Sequence, residues 1–358
     1  MSLCRKYINF IALLSTIGLL YILYKAYARL DAANSIRSFP NAANGYTRSG
    51  YKVSVVVNYT LPRRLSAITN DTHCPDGFWK DDELTWENST AIPTQIAEYE
   101  QFVKAKEWTS GKSDDLPVFI TGASSNHFQE MIKMLHNFND LRQRLNRNWM
   151  LYFFNLGLSV KEVEKVQKIC NCTVKRFDFN RYPVHVKHLH GYAFKPLAIE
   201  IIARMHNFVV WMDASVRFKQ SDFNILLDQG RKAGVFLTQG GGSVARRTLP
   251  STFHYFNTYP CRFRSLPELQ GGFLIFYMNP FIIHRIFWPW VRCALEFGCM
   301  VPDMNPEKYL ACNRYGNVFG ECHRFDQSAI SILLYTVYGK HISEHTMHYS
   351  KNMYMSFH

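Results

Sequence analysis

From Leu116 onward, short apolar runs alternate with stretches of helical periodicity, and few architectures accept that alternation. The pattern predicts an α/β fold: a mostly parallel sheet with helices on both faces. Pro117–Thr121 reads as the first strand and stops at Gly122-Ala-Ser-Ser-Asn126. Phe128, Met131, Ile132, Leu135 and Phe138 then recur at helical spacing. Met150–Phe154 and Thr173–Phe177 read as the next strands. Between them, Ser159 and Glu162 have capping-box spacing before a helix faced by Val160, Val163 and Ile169. Pro196 suits the first turn of a helix striped by Leu197, Ile201, Ile202 and Met205. Phe208–Met212 is the most apolar strand, with later strands at Gly234–Thr238 and Gly272–Tyr277 and a last helix at Asp326–Tyr338. Phe281–Trp290 reads as a core helix kinked at Pro289.

In open α/β sheets ligands bind beyond the carboxyl ends of the strands. Asp213 leaves the most apolar strand, followed by Ser215 and Arg217. A carboxylate there either caps a turn or holds a divalent cation that neutralises a diphosphate, with Ser215 and Arg217 reaching phosphate or ribose oxygens. His323-Arg-Phe-Asp326-Gln-Ser328 opens the last helix. Asp326 there either caps the helix or serves as a base or acceptor ligand, with His323 beside it. Gly271 and Gly272, after Gln270, permit close approach of backbone to a ligand or form a simple turn. Lys195 falls near a helix N-terminus, which suits anions. Gly240–Gly242 with Arg246 and Arg247 reads as a mobile, phosphate-attracting loop or a linker. His185, His188 and His190 read as a solvated loop. Neither GxSxG, GxGxxG nor GxxxxGK[ST] occurs, which weakens the hydrolase, dinucleotide and P-loop alternatives.

The N-terminal region supplies the compartment. Tyr7–Tyr24 is an uncharged run of 18 residues with basic residues on both sides. That length predicts an uncleaved signal anchor over 7–24, behind a cytoplasmic tail of 1–6. A cleavable signal is the alternative, with Ala26-Tyr27-Ala28 as its site and Lys25 interrupting the approach. Residues 25–115 read as a polar lumenal stem and extension, and 116–358 as the α/β core. Sequons at Asn58, Asn70, Asn88 and Asn171 point to a secretory lumen. Of nine cysteines, Cys4 precedes the apolar run and eight follow it, an even number suited to disulfides in an oxidising compartment. The net charge is +13; the first 29 residues hold four basic groups and no acidic one, leaving +9 on the remainder. Nucleic acid is scarce in a lumen, so this excess points to nucleotide phosphates, acidic glycans or headgroups.

Val118–Phe128, Phe154–Ser159, Tyr192–Pro196, Val210–Ser215 and Arg324–Ser328, in this order, resemble a nematode-expanded domain-of-unknown-function family regarded as glycosyltransferase-like. The resemblance spans about residues 115–340. It implies a glycosyltransferase-A-like, Rossmann-like fold with an Asp-x-Asp motif after a central strand, a nucleotide-sugar co-substrate and a Mn or Mg ion. Here Asp213-Ala214-Ser215 keeps the first Asp and has Ser at the second position. The expectation is a single-pass type II glycosyltransferase of the Golgi or endoplasmic reticulum membrane, acting on a glycan or glycoprotein. Asp213 would be the metal ligand; Ser215, Arg217, Lys195, Gly271 and Gly272 would bind the donor; Asp326 and His323 would be catalytic. The rival expectation is a non-catalytic, membrane-anchored glycan-binding ectodomain on the same scaffold.

Overall fold

The computed structural model describes residues 116–219, 222–312, 319–320, 322–348 and 354–357. The expected tail, anchor and stem lie outside these residues, with the sequons at Asn58, Asn70 and Asn88 and with Cys4 and Cys74. Among the described residues no helix is long and apolar enough to cross a membrane.

Four strands follow the apolar runs closely: β1 (Val118–Ala123), β2 (Leu151–Asn155), β3 (Thr173–Arg176) and β4 (Phe208–Met212). They are parallel neighbours in the order β3-β2-β1-β4. The sheet continues through β7 (Pro267–Tyr277), β6 (Val235–Ser243) and the short β8 (Thr346–Met347). Only β7 is antiparallel to its neighbours, so the sheet is mostly parallel, as the alternating pattern predicts. A separate ribbon pairs β5 (Val216–Phe218) with β9 (Met355–Phe357).

Each central strand is buried on both faces because successive side chains enter different cores. Ile120, Val209 and Trp211 join one apolar cluster with α3 (Phe194–Ala203), the short α5 (Pro250–Tyr255), α6 (Trp288–Leu295) and α7 (Asp326–Tyr338). Phe119, Phe208, Val210 and Met212 join the other, with α1 (Phe128–Arg144) and α4 (Phe223–Ala233). Full burial of side chains of this size contributes about 1.5–3 kcal/mol each, which fixes β4 at the centre. The capping box at Ser159 and Glu162 is present at the start of α2 (Val160–Ile169). That helix differs from expectation in its contact face. Val166 is its buried residue and Val160 is exposed, because α2 covers the edge of the sheet, where little apolar surface needs cover.

Two later expectations are corrected. Gly240–Gly242 is not a mobile loop but the end of β6, whose pairing with β7 shifts register on either side of Gln239. A Cβ on Gly242 would overlap the Arg247 guanidinium, so close approach explains the glycine there. Gln270-Gly271-Gly272 is not a turn before a strand; β7 begins earlier and runs through it. The irregularity expected at Pro289 precedes it, as a π turn over Ile283–Phe287. Proline has no N–H to offer the carbonyl one turn back, so the loosened ladder lies on its N-terminal side. Three disulfides join described residues: Cys170–Cys172, Cys293–Cys299 and Cys312–Cys322.

Candidate active site

Asp213 leaves β4 at its carboxyl end, and its N–H donates to Gly272 O of antiparallel β7 at 2.8 Å. Its carboxylate accepts from Trp211 Nε1 at 2.6 Å, which aims it along the strand end. Lys195 arrives from the first turn of α3. Tyr192, in the left-handed region at φ 53°, turns the chain into that helix and accepts the Lys195 N–H at 3.0 Å. The Lys195 side chain is 2% exposed. Its Nζ lies 3.2 Å from Asp213 Oδ1 and 2.7 Å from Asp326 Oδ2, and donates to Gly271 O at 2.9 Å. The rings of Tyr192 and Trp211 flank the ammonium at 5.3 and 5.8 Å.

Asp326 opens α7, yet it does not cap it: no side-chain capping bond is made there. Phe325, the residue before it, is held at φ 48°, a conformation costing a non-glycine residue about 1–3 kcal/mol. The buried Phe325 ring, 4.8 Å from His323 and 6.0 Å from Tyr192, offsets that strain and turns Asp326 inward to Lys195. Ser328 Oγ instead accepts the Arg324 N–H at 3.2 Å and donates to Arg247 O at 2.8 Å. A Cβ on Gly271 would overlap Asp326 Oδ2, so the glycine is what admits the carboxylate.

Burial works against the Lys195 ammonium, but Asp213 and Asp326 outweigh it and hold its pKa above the ordinary range. Burial pushes the Asp326 carboxyl up, against the downward pull of Lys195. Asp326 Oδ2 lies 2.7 Å from the Lys195 ammonium. Gln270 Oε1 and Gln327 Nε2 are buried without a hydrogen-bond partner. Buried amide atoms of this kind call for a polar ligand or water. Gln270 and Gln327 were not among the expected site residues. Their signal in the sequence is position alone: each adjoins a residue that was, Gly271 and Asp326.

The other expected residues divide. Ser215 is half-buried two residues beyond Asp213. Gly272 backs Asp213, with its Cβ direction 3.4 Å from Asp213 Oδ2. Arg217 is spent on backbone: its guanidinium donates to the carbonyls of Ala214, Val216 and Glu130 at 2.6, 2.7 and 3.1 Å. His323 is fully buried, accepts the Leu249 N–H at Nδ1 (3.3 Å) and faces Met300 O with Nε2 (3.1 Å). Burial lowers its pKa to about 3, so it stays neutral and holds backbone segments together. His185, expected in a solvated loop, is buried with Nε2 2.9 Å from Ala294 O, because its loop packs against the end of α6. Arg247 lies at the edge of the site, paired with the buried Glu268 at 2.5 Å.

A divalent cation was expected at Asp213. The residues present do not fit one between Asp213 and Asp326, because the Lys195 ammonium already lies there. A divalent ion about 4 Å from an ammonium meets roughly 8 kcal/mol of repulsion at an effective dielectric near 20. Among the described residues no group of three or more His, Cys, Asp or Glu side chains is placed to hold a metal.

The family described as "Protein of unknown function (DUF1647)" matches residues 88–200, a stretch that includes Lys195 but neither Asp213 nor Asp326. No curated protein matches the chain. Among solved structures, the galactosyltransferase LgtC in complex with donor and acceptor sugar analogs is 12% identical, with 65% of this chain and 73% of that one covered and a TM-score of 0.37. Core-mannan synthase A from Aspergillus fumigatus, in a Mn/GDP form, is 12% identical over 67% of this chain and 74% of that one, at a TM-score of 0.38. The WbbM bifunctional glycosyltransferase is 12% identical over 51% of this chain, at a TM-score of 0.34; this chain spans only 35% of its length. Likenesses this distant do not decide the chemistry of this chain. Its fold stands on the strand order and its function on the site.

Proposed function

We propose that the chain is a glycosyltransferase, moving a sugar from a nucleotide-sugar donor to a hydroxyl of a glycan or glycoprotein. The observation that carries this reading is the partly exposed Asp213 carboxylate at the end of β4, 3.2 Å from the buried Lys195 that also pairs with Asp326. Such a carboxylate accepts hydrogen bonds from hydroxyls, which a polyhydroxylated ligand supplies. Asp213, with Ser215 next to it, binds donor hydroxyls, while Gly271 makes room for Asp326 and Gly272 for the Phe357 ring rather than for the donor. In the transfer the bond from the anomeric carbon to the diphosphate oxygen breaks, and the diphosphate leaves with the electron pair. The bond to the acceptor oxygen forms, and the acceptor proton passes to Asp326. Burial raises the pKa of that carboxyl, as suits a base.

The reading includes single-pass type II anchoring through residues 7–24 in the Golgi or endoplasmic reticulum membrane. The uncharged run, the sequons and the disulfides support it. The test is a panel of nucleotide sugars incubated with the purified full-length chain. Turnover of at least one donor, abolished by Asp213→Asn, is expected. Glycan binding with neither turnover nor nucleoside diphosphate binding would overturn the reading in favour of a non-catalytic lectin-like protein.

A further inference from the structure

We infer that Lys195 is the resident cation of this site, standing where a divalent metal would bridge two carboxylates, and that the site binds its ligand without one. The inference rests on the transferase reading only for the identity of that ligand. Three independent features converge on it. The ammonium is 2% exposed and touches both carboxylates, Asp213 at 3.2 Å and Asp326 at 2.7 Å. Its third contact, Gly271 O at 2.9 Å, is a backbone carbonyl whose own residue must be glycine to admit Asp326. The rings of Tyr192 and Trp211 favour a cation between them.

Charge counting points the same way. With Lys195 protonated, Asp213 and Asp326 together carry one net negative charge, half of what an unpaired carboxylate pair offers a divalent ion. Position 215, where a second metal-binding carboxylate would follow Asp213, is Ser. In sugar transfer, neutralisation of the leaving diphosphate then falls to side chains. Arg324, two residues before Asp326 and partly exposed, is a basic group near enough to the Asp326 carboxylate to act on its charge.

The test is titration of Mn²⁺ alone into the purified full-length chain, followed by electron paramagnetic resonance, with no nucleotide sugar present. The wild type should show either no stoichiometric binding or binding that Asp213→Asn leaves unchanged. Lys195→Met should gain Mn²⁺ affinity by about tenfold or more, and adding Asp213→Asn should remove the gain. Stoichiometric wild-type binding that Asp213→Asn weakens about tenfold would overturn the inference, as would a folded Lys195→Met protein that gains nothing. If Lys195→Met does not fold, the wild type and Asp213→Asn decide the matter by themselves. A failed nucleotide-sugar panel would leave this result standing, since neither measurement enters the other.

Discussion

Lys195 Nζ lies 2.7 Å from Asp326 Oδ2, joining the first turn of α3 to the first turn of α7 inside the protein, with both side chains almost wholly buried. The pair ties stability to the site. Removing one member of a buried ion pair costs about 3–5 kcal/mol, because the other is left charged and unpaired. Lys195→Met should therefore destabilise the protein by about that much in urea denaturation, and Asp326→Leu likewise. The double variant should cost clearly less than the two single effects added together. Strict additivity would mean that the pair is not coupled.

Gly271→Ala should act on the same pair without touching its charges. The added methyl meets Asp326 Oδ2, so the carboxylate or the strand must shift, at about 1–3 kcal/mol. Melting should record that loss together with weaker nucleotide-sugar binding. Gly241→Ala, with open space around the new methyl, is the control and should change neither.

Asp213→Asn should lower kcat/KM by about 10²-fold or more, as expected for a group that contacts the reacting donor. It should also lower the melting temperature, because it removes one of the two carboxylates on the buried Lys195 ammonium. Arg217→Ala should act on stability alone. Its guanidinium serves three backbone carbonyls, so stability should fall by about 1–3 kcal/mol with the donor KM little changed. A large rise in KM at unchanged stability would restore Arg217 to the donor site.

His323 sets an acid limit. Its folded pKa, about 3, lies below the unfolded value near 6.5, so its contribution is complete above pH 6.5 and is lost as the pH falls toward 3. Stability should fall across that window with an extra slope of about 1.4 kcal/mol per pH unit. His323→Gln, which cannot take up the proton, should flatten the curve by that amount. An unaltered slope would show that His323 does not titrate on unfolding.

Apolar patterning alone was enough to read the sheet and its covering helices. Phe208–Met212 is apolar throughout, so it had to lie buried between two layers, and Asp213 had to emerge at its end. Local chemistry was equally legible at Ser159 and Glu162, since a capping box closes within one turn. What the sequence left open were choices between a local and a distant partner. Asp326 had the position of a helix cap, Arg217 that of a phosphate ligand and His323 that of a catalytic neighbour. Long-range packing resolved each by what it brought alongside: Lys195 to Asp326, three carbonyls to Arg217, and Leu249 and Met300 to His323. Desolvation drives this. A charge or imidazole taken out of water must find a partner, and which partner is available depends on chain crossings that no short stretch of sequence encodes.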